Sequence, residues 1–274
     1  MSKTIIVTGA SRGIGLCITE YLLTTPQPHN VVVVARTLAP LQALKEKYPK
    51  QVEVVNGDLA DFSLAQKAVD AAVSTFGRLD GMVLNHGVLG QVGKIDVAST
   101  DEWKAGFDVN FISLVAFDRG HGNNHKRDSP DQANPPTKQT KAALPHLRTT
   151  HGKIIFTSSG AAVTGYRGWA LYGATKAAMN HFAMSLAAEE PDVISVSIRP
   201  GMVDTNMQRE LREDHATSLD AEMHAKFTGV HKDGKLLRVE QPGHVMGKLV
   251  LDASAGLSGK FLSWNDQELG AFQE

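Results

Sequence analysis

The sequence predicts an α/β fold, a doubly wound domain with a seven-stranded parallel sheet and helices on both faces. Two observations support this prediction. Short runs rich in Val and Ile alternate with segments of helical periodicity, which is typical of a parallel sheet covered on both sides. The length of 274 residues suits one large domain, so we expect residues 1–274 to form a single domain.

Each predicted element follows from a local pattern. The strands are short apolar runs bounded by polar or turn residues, at residues 4–8, 31–35, 52–56, 81–85, 153–158, 194–199 and 260–262. The helices repeat apolar residues every three to four positions, at residues 13–24, 38–48, 63–76, 100–117, 170–190 and 242–253. We find no internal repeat of solenoid length, so one wound sheet is the expected architecture.

One segment, residues 118–139, breaks the alternation of strands and helices. It carries many charges, three prolines and no apolar residue larger than alanine, so we predict a disordered insertion within a helix. Without it, residues 111–117 would continue directly into 140–147 with helical periodicity. A translated, unspliced intron is the alternative origin. His121 and His125 lie within the segment, but a solvated loop explains them better than a metal site, and we expect no metal.

Composition and charge exclude several classes of protein. The chain is 42% hydrophobic and 21% charged with a formal net charge of -1, which predicts no nucleic acid or membrane partner. Cys17 is the only cysteine, so no intrachain disulfide can form and a reducing, cytoplasmic location is expected. The first strand begins at residue 4, which leaves no room for a signal peptide, and no apolar run approaches the length of a membrane span.

A glycine-rich turn, Thr-Gly-Ala-Ser-Arg-Gly-Ile-Gly at residues 8–15, follows the first strand and opens the first helix. Its glycines would let the backbone approach a pyrophosphate, which the N-terminus of the helix would stabilise, as in a Rossmann dinucleotide site. A turn needed only for packing is the alternative. The cofactor contacts predicted in this turn come from Gly9, Ser11, Arg12, Gly13, Ile14 and Gly15.

The ends of the second and third strands indicate which dinucleotide binds. A carboxylate after the second strand would bind a ribose 2′-hydroxyl, whereas this chain has Arg36, a planar cation suited to phosphate. Arg12 can approach the same phosphate, so we predict NADPH/NADP; two surface arginines without this role are the alternative. Asp58 and Leu59 are predicted to contact the adenine. The competing explanation is that Asp58 is the N-cap of the next helix.

Tyr172 and Lys176 lie four residues apart, and therefore one turn apart on the same face of a helix. An isolated phenol has a pKa of about 10, and a neighbouring ammonium lowers that pKa by stabilising the phenolate. We expect Lys176 to act on Tyr172 in this way, so that the phenol can hand a proton to a developing alkoxide. The alternative is an ordinary amphipathic helix that carries one Tyr and one Lys by chance. The presence of Ser159 and of the phosphate turn earlier in the chain argues against this alternative.

Several separated motifs occur in one order along the chain: the glycine turn, Asn85-His86-Gly87, Asn110, Ser159, Tyr172, Lys176 and Pro200-Gly201. In this order they resemble the motifs of the short-chain dehydrogenase/reductases over nearly the whole chain apart from the insertion. Within that family the chain is similar to the branch of the fungal benzil reductases and sepiapterin reductases. The segments that carry this second similarity are 35–40, 180–184, 200–205 and 259–266.

The resemblance implies a role for each matching catalytic residue. Tyr172 would be the acid/base, and Lys176 would lower its pKa and bind the nicotinamide ribose. Ser159 would hold and polarise the substrate carbonyl. Asn110 would kink its helix and support a chain of water molecules to Lys176. A turn residue and a helix cap are the alternatives for Ser159 and Asn110.

The resemblance also extends the cofactor site to the ends of two further strands. Asn85 and Gly87 end the fourth strand, where glycine permits close approach of the cofactor. Val203 and Thr205 would bind the nicotinamide carboxamide after the turn at Pro200-Gly201.

Two features depart from the family. His86 stands where the family usually has alanine, and it would either crowd the adenosine side of the cofactor or add a hydrogen bond. The insertion falls in the helix after Asn110, where such enzymes commonly pair with a second subunit. It therefore puts a homodimer in doubt, together with the chain of water molecules.

The predicted activity is a carbonyl reductase reaction, in which NADPH reduces a ketone or 1,2-diketone to the alcohol. The substrate would be a small hydrophobic molecule, and the polar segment 207–235 would form a mobile lid. Two alternatives are an NADP-binding protein with impaired catalysis and an alcohol dehydrogenase working in the oxidative direction. The predicted pocket comprises the segment 208–229 and Leu89, Ala161, Tyr166, Trp169, Met202 and Met207.

Overall fold

Seven short, largely apolar runs form the seven predicted strands. The structure is a computed structural model that describes residues 1–119, 143–216, 218–219 and 221–273. Each strand bound lies within one residue of its prediction. Strands β1 to β7 span Thr4–Thr8, Asn30–Ala35, Val52–Asn56, Gly81–Leu84, Lys153–Thr157, Ile194–Arg199 and Phe261–Ser263.

All neighbouring strands pair in parallel, in the order β3-β2-β1-β4-β5-β6-β7. This order confirms the predicted doubly wound α/β fold. The strand order reverses between β1 and β4, which pair with Val7 opposite Val83. In open parallel sheets a ligand binds beyond the carboxyl ends of the strands at such a reversal. The fold therefore places the candidate site just after Thr8 and Leu84.

Eleven α-helices occur in the described residues, and most of them connect successive strands. A π-helical turn at Asp108–Ile112 separates α4 (Thr100–Phe107) from α5 (Ser113–Arg119), where the sequence predicted one helix over 100–117. Two helices, α8 (Asn206–Glu213) and α9 (Ala221–Lys232), lie in the polar segment that was predicted to be a lid. Helices α1 to α11 span Gly13–Thr24, Leu38–Lys47, Ser63–Phe76, Thr100–Phe107, Ser113–Arg119, Ala143–Thr150, Ala170–Glu189, Asn206–Glu213, Ala221–Lys232, Glu240–Asp252 and Gly270–Gln273.

Of the predicted insertion at 118–139, the structure describes only the first two residues. Helix α5 continues to Arg119, two residues beyond the predicted end of that helix at Phe117. The rest of the insertion, with His121 and His125, lies outside the described residues.

Two hydrophobic cores cover the two faces of the sheet. Ile5 and Val7 of β1 pack into one core with α1 and α10, whereas Ile6 between them packs into the other with α3, α5 and α7. This division follows from the period of two along a strand, which sends alternate side chains to opposite faces. Each fully buried side chain of this size stabilises the fold by about 1.5–3 kcal/mol.

Three further observations limit what the described residues can do. None of their helices is long and apolar enough to cross a membrane. They contain no group of three His, Cys, Asp or Glu side chains arranged to hold a metal. Cys17 on α1 is buried, and burial together with nearby Glu240 and Glu20 raises the pKa of its thiol to about 11.

Candidate active site

A cavity of about 1190 Å³ opens at the carboxyl ends of the strands. Its floor is formed by the glycine turn and the residues that follow β2 to β6, and helices α8 and α9 form one wall. Ligand pockets for small molecules commonly measure about 300–1,000 Å³, so this cavity has room for a dinucleotide and a substrate together.

The glycine turn brings the backbone of β1 against the start of α1. Gly9 and Gly13 have φ angles of 65° and 56°, which favour glycine because a Cβ is strained there. A Cβ on Gly15 would lie 2.3 Å from the Gly9 carbonyl oxygen, so the helix could not approach the turn this closely with any side chain. Ser11 and Ile14 line the cavity between them. The geometry fits a pyrophosphate held by backbone N–H groups.

Both arginines of the predicted phosphate site line the cavity. The side chains of Arg12 and Arg36 are each 62% exposed, which leaves their guanidinium groups accessible to a ligand. Arg36 lies 3.8 Å from Asp58, and Arg12 lies 3.9 Å from Glu210. The sequence did not predict these two carboxylates beside the arginines, because one follows another strand and the other lies on α8.

Asp58 and Leu59 also line the cavity after β3, where the adenine was predicted. The competing explanation, that Asp58 caps the next helix, is wrong. Phe62 is the N-cap residue of α3, and Asp58 instead accepts a hydrogen bond from the N–H of Ala60 at 3.0 Å.

Asn85 and Gly87 join the glycine turn to the catalytic end of the cavity. Asn85 accepts a hydrogen bond from the Thr157 hydroxyl at 3.1 Å and donates one to the Thr8 carbonyl at 3.3 Å. A Cβ on Gly87 would lie 3.4 Å from both Asn110 Oδ1 and Lys176 Nζ. Gly87 therefore lets the backbone pass close to two of the predicted catalytic residues.

His86 is buried, lines the cavity and makes hydrogen bonds within the protein. Its Nδ1 lies 2.7 Å from the Thr8 hydroxyl, and its Nε2 lies 2.7 Å from the Ser113 hydroxyl and 3.1 Å from the Val109 carbonyl. Because Ser113 donates to Val109, Nε2 carries the ring hydrogen and Nδ1 accepts from Thr8. Burial and nearby Lys176 lower the pKa of His86 to about 3. The ring is therefore neutral at physiological pH.

Asn110 lies in the π-helical turn and is completely buried. Its Oδ1 accepts from the Val88 N–H at 2.8 Å, and its Nδ2 donates to the Val88 carbonyl at 2.9 Å and to Thr175 Oγ1 at 3.1 Å. A π-helical turn inside an α-helix is rare and often marks a functional site. The turn is where Asn110 was predicted to kink its helix, and its side chain ties that turn to α7.

Ser159, Tyr172 and Lys176 converge where β5 ends and α7 begins. Ser159 follows β5, and its hydroxyl accepts a hydrogen bond from the Ala161 N–H at 3.1 Å. Tyr172 and Lys176 lie one turn apart on α7, with Lys176 Nζ 5.8 Å from the centroid of the phenol ring. Lys176 also donates to the Thr157 carbonyl at 2.7 Å. All three side chains line the cavity beside Gly87.

The pKa of Tyr172 differs from the sequence prediction. Burial raises it to about 12, although the Ser159 hydroxyl acts in the opposite direction. Burial also lowers the pKa of Lys176 to about 7, so the amine carries only part of its charge at neutral pH. The prediction that Lys176 lowers the pKa of Tyr172 is therefore wrong for this structure, in which desolvation raises that pKa and only Ser159 opposes the rise.

The segment after β6 crosses the glycine turn. Pro200, Gly201, Val203 and Thr205 all line the cavity. A Cβ on Gly13 would lie 3.4 Å from Thr205 Cγ2, which places the two segments in contact. This segment thus contacts the phosphate turn and lines the same cavity as the catalytic residues.

An aromatic cluster forms the outer part of the cavity. Trp169 stacks on Phe227 of α9 with ring centroids 5.4 Å apart, and its edge meets Tyr172 at 5.8 Å and Tyr166 at 5.5 Å. Four further apolar residues of the predicted pocket belong to the same cluster. Ala161, Met202 and Met207 also line the cavity, whereas Leu89 does not.

The family is decided by a comparison with known proteins. A family model described as short chain dehydrogenase matches residues 3–120 and 133–216. The chain belongs to this family.

Individual relatives confirm the predicted branch and the enzyme class. A benzil reductase ((S)-benzoin forming) of Saccharomyces cerevisiae is 36% identical over 284 residues, which covers 100% of both chains. The sepiapterin reductase of Rattus norvegicus is 30% identical over 244 residues and 85% of each chain. The crystal structure of a Saccharomyces cerevisiae short-chain dehydrogenase/reductase, 37% identical, superposes with a TM-score of 0.89 over 100% of both chains. This short-chain dehydrogenase is thus an oxidoreductase.

Three further residues line the cavity: the sequence did not predict Arg199, and it included Lys226 and Phe227 only as part of the segment 208–229. Phe227 and Lys226 lie on α9, and Arg199 ends β6 directly before the predicted turn at Pro200. The signal for Phe227 is weak, because it is one large apolar residue within a polar segment. The position of Arg199 could have been inferred, since parallel strands present their last residues at the same edge of the sheet.

Proposed function

We propose that this short-chain dehydrogenase is an NADPH-dependent carbonyl reductase that converts a hydrophobic ketone or 1,2-diketone to the alcohol. The observation that carries the proposal is the convergence of Ser159, Tyr172 and Lys176 at one end of a cavity whose other end is the glycine turn. The relation to a benzil reductase supports a ketone or diketone as the substrate.

The chain offers a continuous set of groups to hold the dinucleotide. The glycine turn would bind the pyrophosphate, Arg12 and Arg36 the 2′-phosphate, and Asp58 with Leu59 the adenine. Asn85 and Gly87 would contact the middle of the cofactor. At the nicotinamide end the contacts would come from Tyr172, Lys176, Pro200, Gly201, Val203 and Thr205.

In the proposed reaction Tyr172 donates the proton. NADPH, when bound, supplies a hydride to the carbonyl carbon. Ser159 and Tyr172 would donate hydrogen bonds to the carbonyl oxygen, and Tyr172 then protonates it as negative charge develops there. A phenol with a pKa of about 12 is fully protonated at neutral pH, which is the form that can donate a proton.

Lys176 would restore the proton to Tyr172. Its pKa of about 7 allows it to gain and lose a proton near neutral pH. Since Nζ lies 5.8 Å from the centroid of the phenol ring, the transfer would use an intervening hydroxyl group or water molecule. Asn110 would hold the π-helical turn, and with it Val88 and the neighbouring Gly87, in place beside this route.

The experiment that tests the proposal measures loss of the NADPH absorbance with four substrates: benzil, a second aryl diketone, sepiapterin and a simple aliphatic ketone. Benzil or the second diketone should be reduced fastest, because the cavity wall is aromatic. Tyr172→Phe should lower kcat by about 10²–10⁴-fold while NADPH still binds, since only the proton donor is lost. Tyr48→Phe, which changes a tyrosine outside the cavity lining, is the matched control.

Two outcomes would contradict the proposal. Retention of most of the rate by Tyr172→Phe would exclude the phenol as proton donor. NADPH binding without reduction of any of the four ketones would favour a cofactor-binding protein with impaired catalysis.

A further inference from the structure

Besides Lys176, two cations that line the cavity have no ion-pair partner among the described residues. Arg199 ends β6, Lys226 lies on α9, and both residues are exposed. Neither has a carboxylate oxygen within 4.0 Å in the described parts of the chain. By contrast, Arg12 and Arg36 at the cofactor end each have a carboxylate nearby, at 3.9 Å and 3.8 Å. At the substrate end the positive charges of Arg199 and Lys226 are therefore not paired with a carboxylate of the described residues within 4.0 Å.

Both cations meet at the same aromatic side chain, Tyr166. A Cβ on Gly160 would lie 3.6 Å from Arg199 Nη1 and 3.9 Å from the Tyr166 hydroxyl, so the guanidinium and the phenol flank the residue after Ser159. From the other side, Lys226 Nζ lies 5.8 Å from the centroid of the Tyr166 ring. Within the described residues the Tyr166 hydroxyl has no hydrogen-bond partner, so it remains available as a donor.

Gly160 makes this arrangement possible. The same Cβ would lie 3.2 Å from Arg199 Cδ, closer than ordinary van der Waals contact. Without that Cβ, the arginine stem can lie across the backbone next to Ser159. The cation is thereby held near the group that is proposed to bind the substrate carbonyl.

We propose that Arg199, Lys226 and Tyr166 form a carboxylate-binding subsite and that the substrate is an aromatic ketone carrying a carboxylate. Arginine offers a planar pair of donors that matches a carboxylate, lysine adds a point charge, and the phenol adds a neutral donor. The adjacent rings of Trp169 and Phe227 suit the aromatic part of such a molecule. The inference rests on the proposed function, because it names the substrate class of the same site.

A binding experiment tests the subsite without any reaction. Biphenyl-4-carboxylate and biphenyl-4-carboxamide have the same shape and no ketone, and their affinities can be measured by calorimetry with NADP present. We expect the acid to bind about 10–100-fold more tightly than the amide, the range for hydrogen bonds to charged groups. In Arg199→Gln and in Lys226→Gln this ratio should fall towards one. Equal affinity of the two compounds for the unmodified protein would overturn the proposal.

Arg167→Gln is the matched control. Arg167 is exposed and adjacent to Tyr166 but does not line the cavity, so its loss should leave the ratio of affinities unchanged. An equal fall in Arg167→Gln and Arg199→Gln would overturn the proposal, because the effect would then reflect the general charge of the surface.

A kinetic experiment separates failure of the subsite from failure of the proposed function. The substrate pair is acetophenone carrying a para carboxylate and the methyl ester of the same acid. The acid should show a KM about 10–100-fold lower than the ester shows. Reduction of the ester with no preference for the acid would overturn the subsite and leave the reductase standing. If neither ketone is reduced but the biphenyl acid binds more tightly than its amide, the subsite stands and the proposed reaction fails.

Discussion

Tyr172, Lys176 and His86 take their acid–base properties from burial. Tyr172 has a raised pKa of about 12, and the two bases have lowered pKa values of about 7 and about 3. In each case the charged form is disfavoured by loss of hydration. At neutral pH the inner end of the cavity therefore holds Tyr172 and His86 in their uncharged forms and Lys176 only partly charged.

The neutral state of His86 predicts a specific dependence of stability on pH. An unfolded histidine binds a proton below about pH 6.5, whereas folded His86 does so only near pH 3. Between these values the unfolded state holds more protons, so His86 lowers the free energy of unfolding by up to about 1.4 kcal/mol per pH unit on acidification. The free energy of unfolding, measured with urea at several pH values, should change less steeply with pH between 6.5 and 4 in His86→Ala than in the unmodified protein.

The control for this prediction is His181→Gln, which removes an exposed histidine from α7. Its slope should match that of the unmodified protein. An unchanged slope in His86→Ala would show that the buried ring takes up a proton in the folded state.

Arg36 supports a prediction about cofactor preference. In Arg36→Asp a carboxylate would repel a 2′-phosphate and accept hydrogen bonds from a ribose hydroxyl, so the preference should shift from NADPH towards NADH. The ratio of kcat/KM for the two cofactors measures this shift, and Lys47→Asp at the far end of α2 is the control outside the cavity. An unchanged ratio in Arg36→Asp would remove Arg36 from the phosphate site.

At the scale of elements, the π-helical turn is held by Asn110. Asn110→Leu would leave the part-buried Val88 N–H and carbonyl without the partners they have now, and each lost hydrogen bond would cost about 0.5–1.5 kcal/mol. We expect a lower melting temperature and a lower kcat. Asn110→Asp keeps the acceptor for the Val88 N–H, so its melting temperature and its kcat should fall less than those of Asn110→Leu. Equal losses in the two variants would contradict a role for that hydrogen bond.

The strands and the catalytic helix could be predicted because their signals are local. Short apolar runs, most of them rich in Val and Ile, located every strand to within one residue. The spacing of Tyr172 and Lys176 placed them on one face of α7. Helix α8 was missed because it buries only Gln208 and Leu211, too few residues for a visible apolar period.

The remaining errors depend on tertiary structure. The carboxylates beside Arg12 and Arg36 come from other elements, and the burial that raises the pKa of Tyr172 is set by Trp169 and the surrounding cluster. The stacking of Trp169 on Phe227 joins residues far apart in sequence. No local pattern carries that information.

At the scale of the molecule, the cofactor site draws on the ends of β1 to β6 and should couple ligand binding to stability. A ligand that binds only the folded state stabilises it by about 2.7 kcal/mol at a concentration 100 times its Kd. For a protein of this size that corresponds to a rise in melting temperature of about 5–11 °C. We expect such a rise with NADP and a smaller one with NAD at the same concentration. Equal shifts would contradict the predicted cofactor preference.

The single buried cysteine has a practical consequence for studying movement of α9. Cys17 is shielded and its thiol pKa is about 11, so a maleimide dye should react with it slowly at neutral pH. A cysteine introduced at an exposed position of that helix would then be the main site of labelling. Fluorescence from the attached dye could report opening and closing of the cleft without first removing the native thiol.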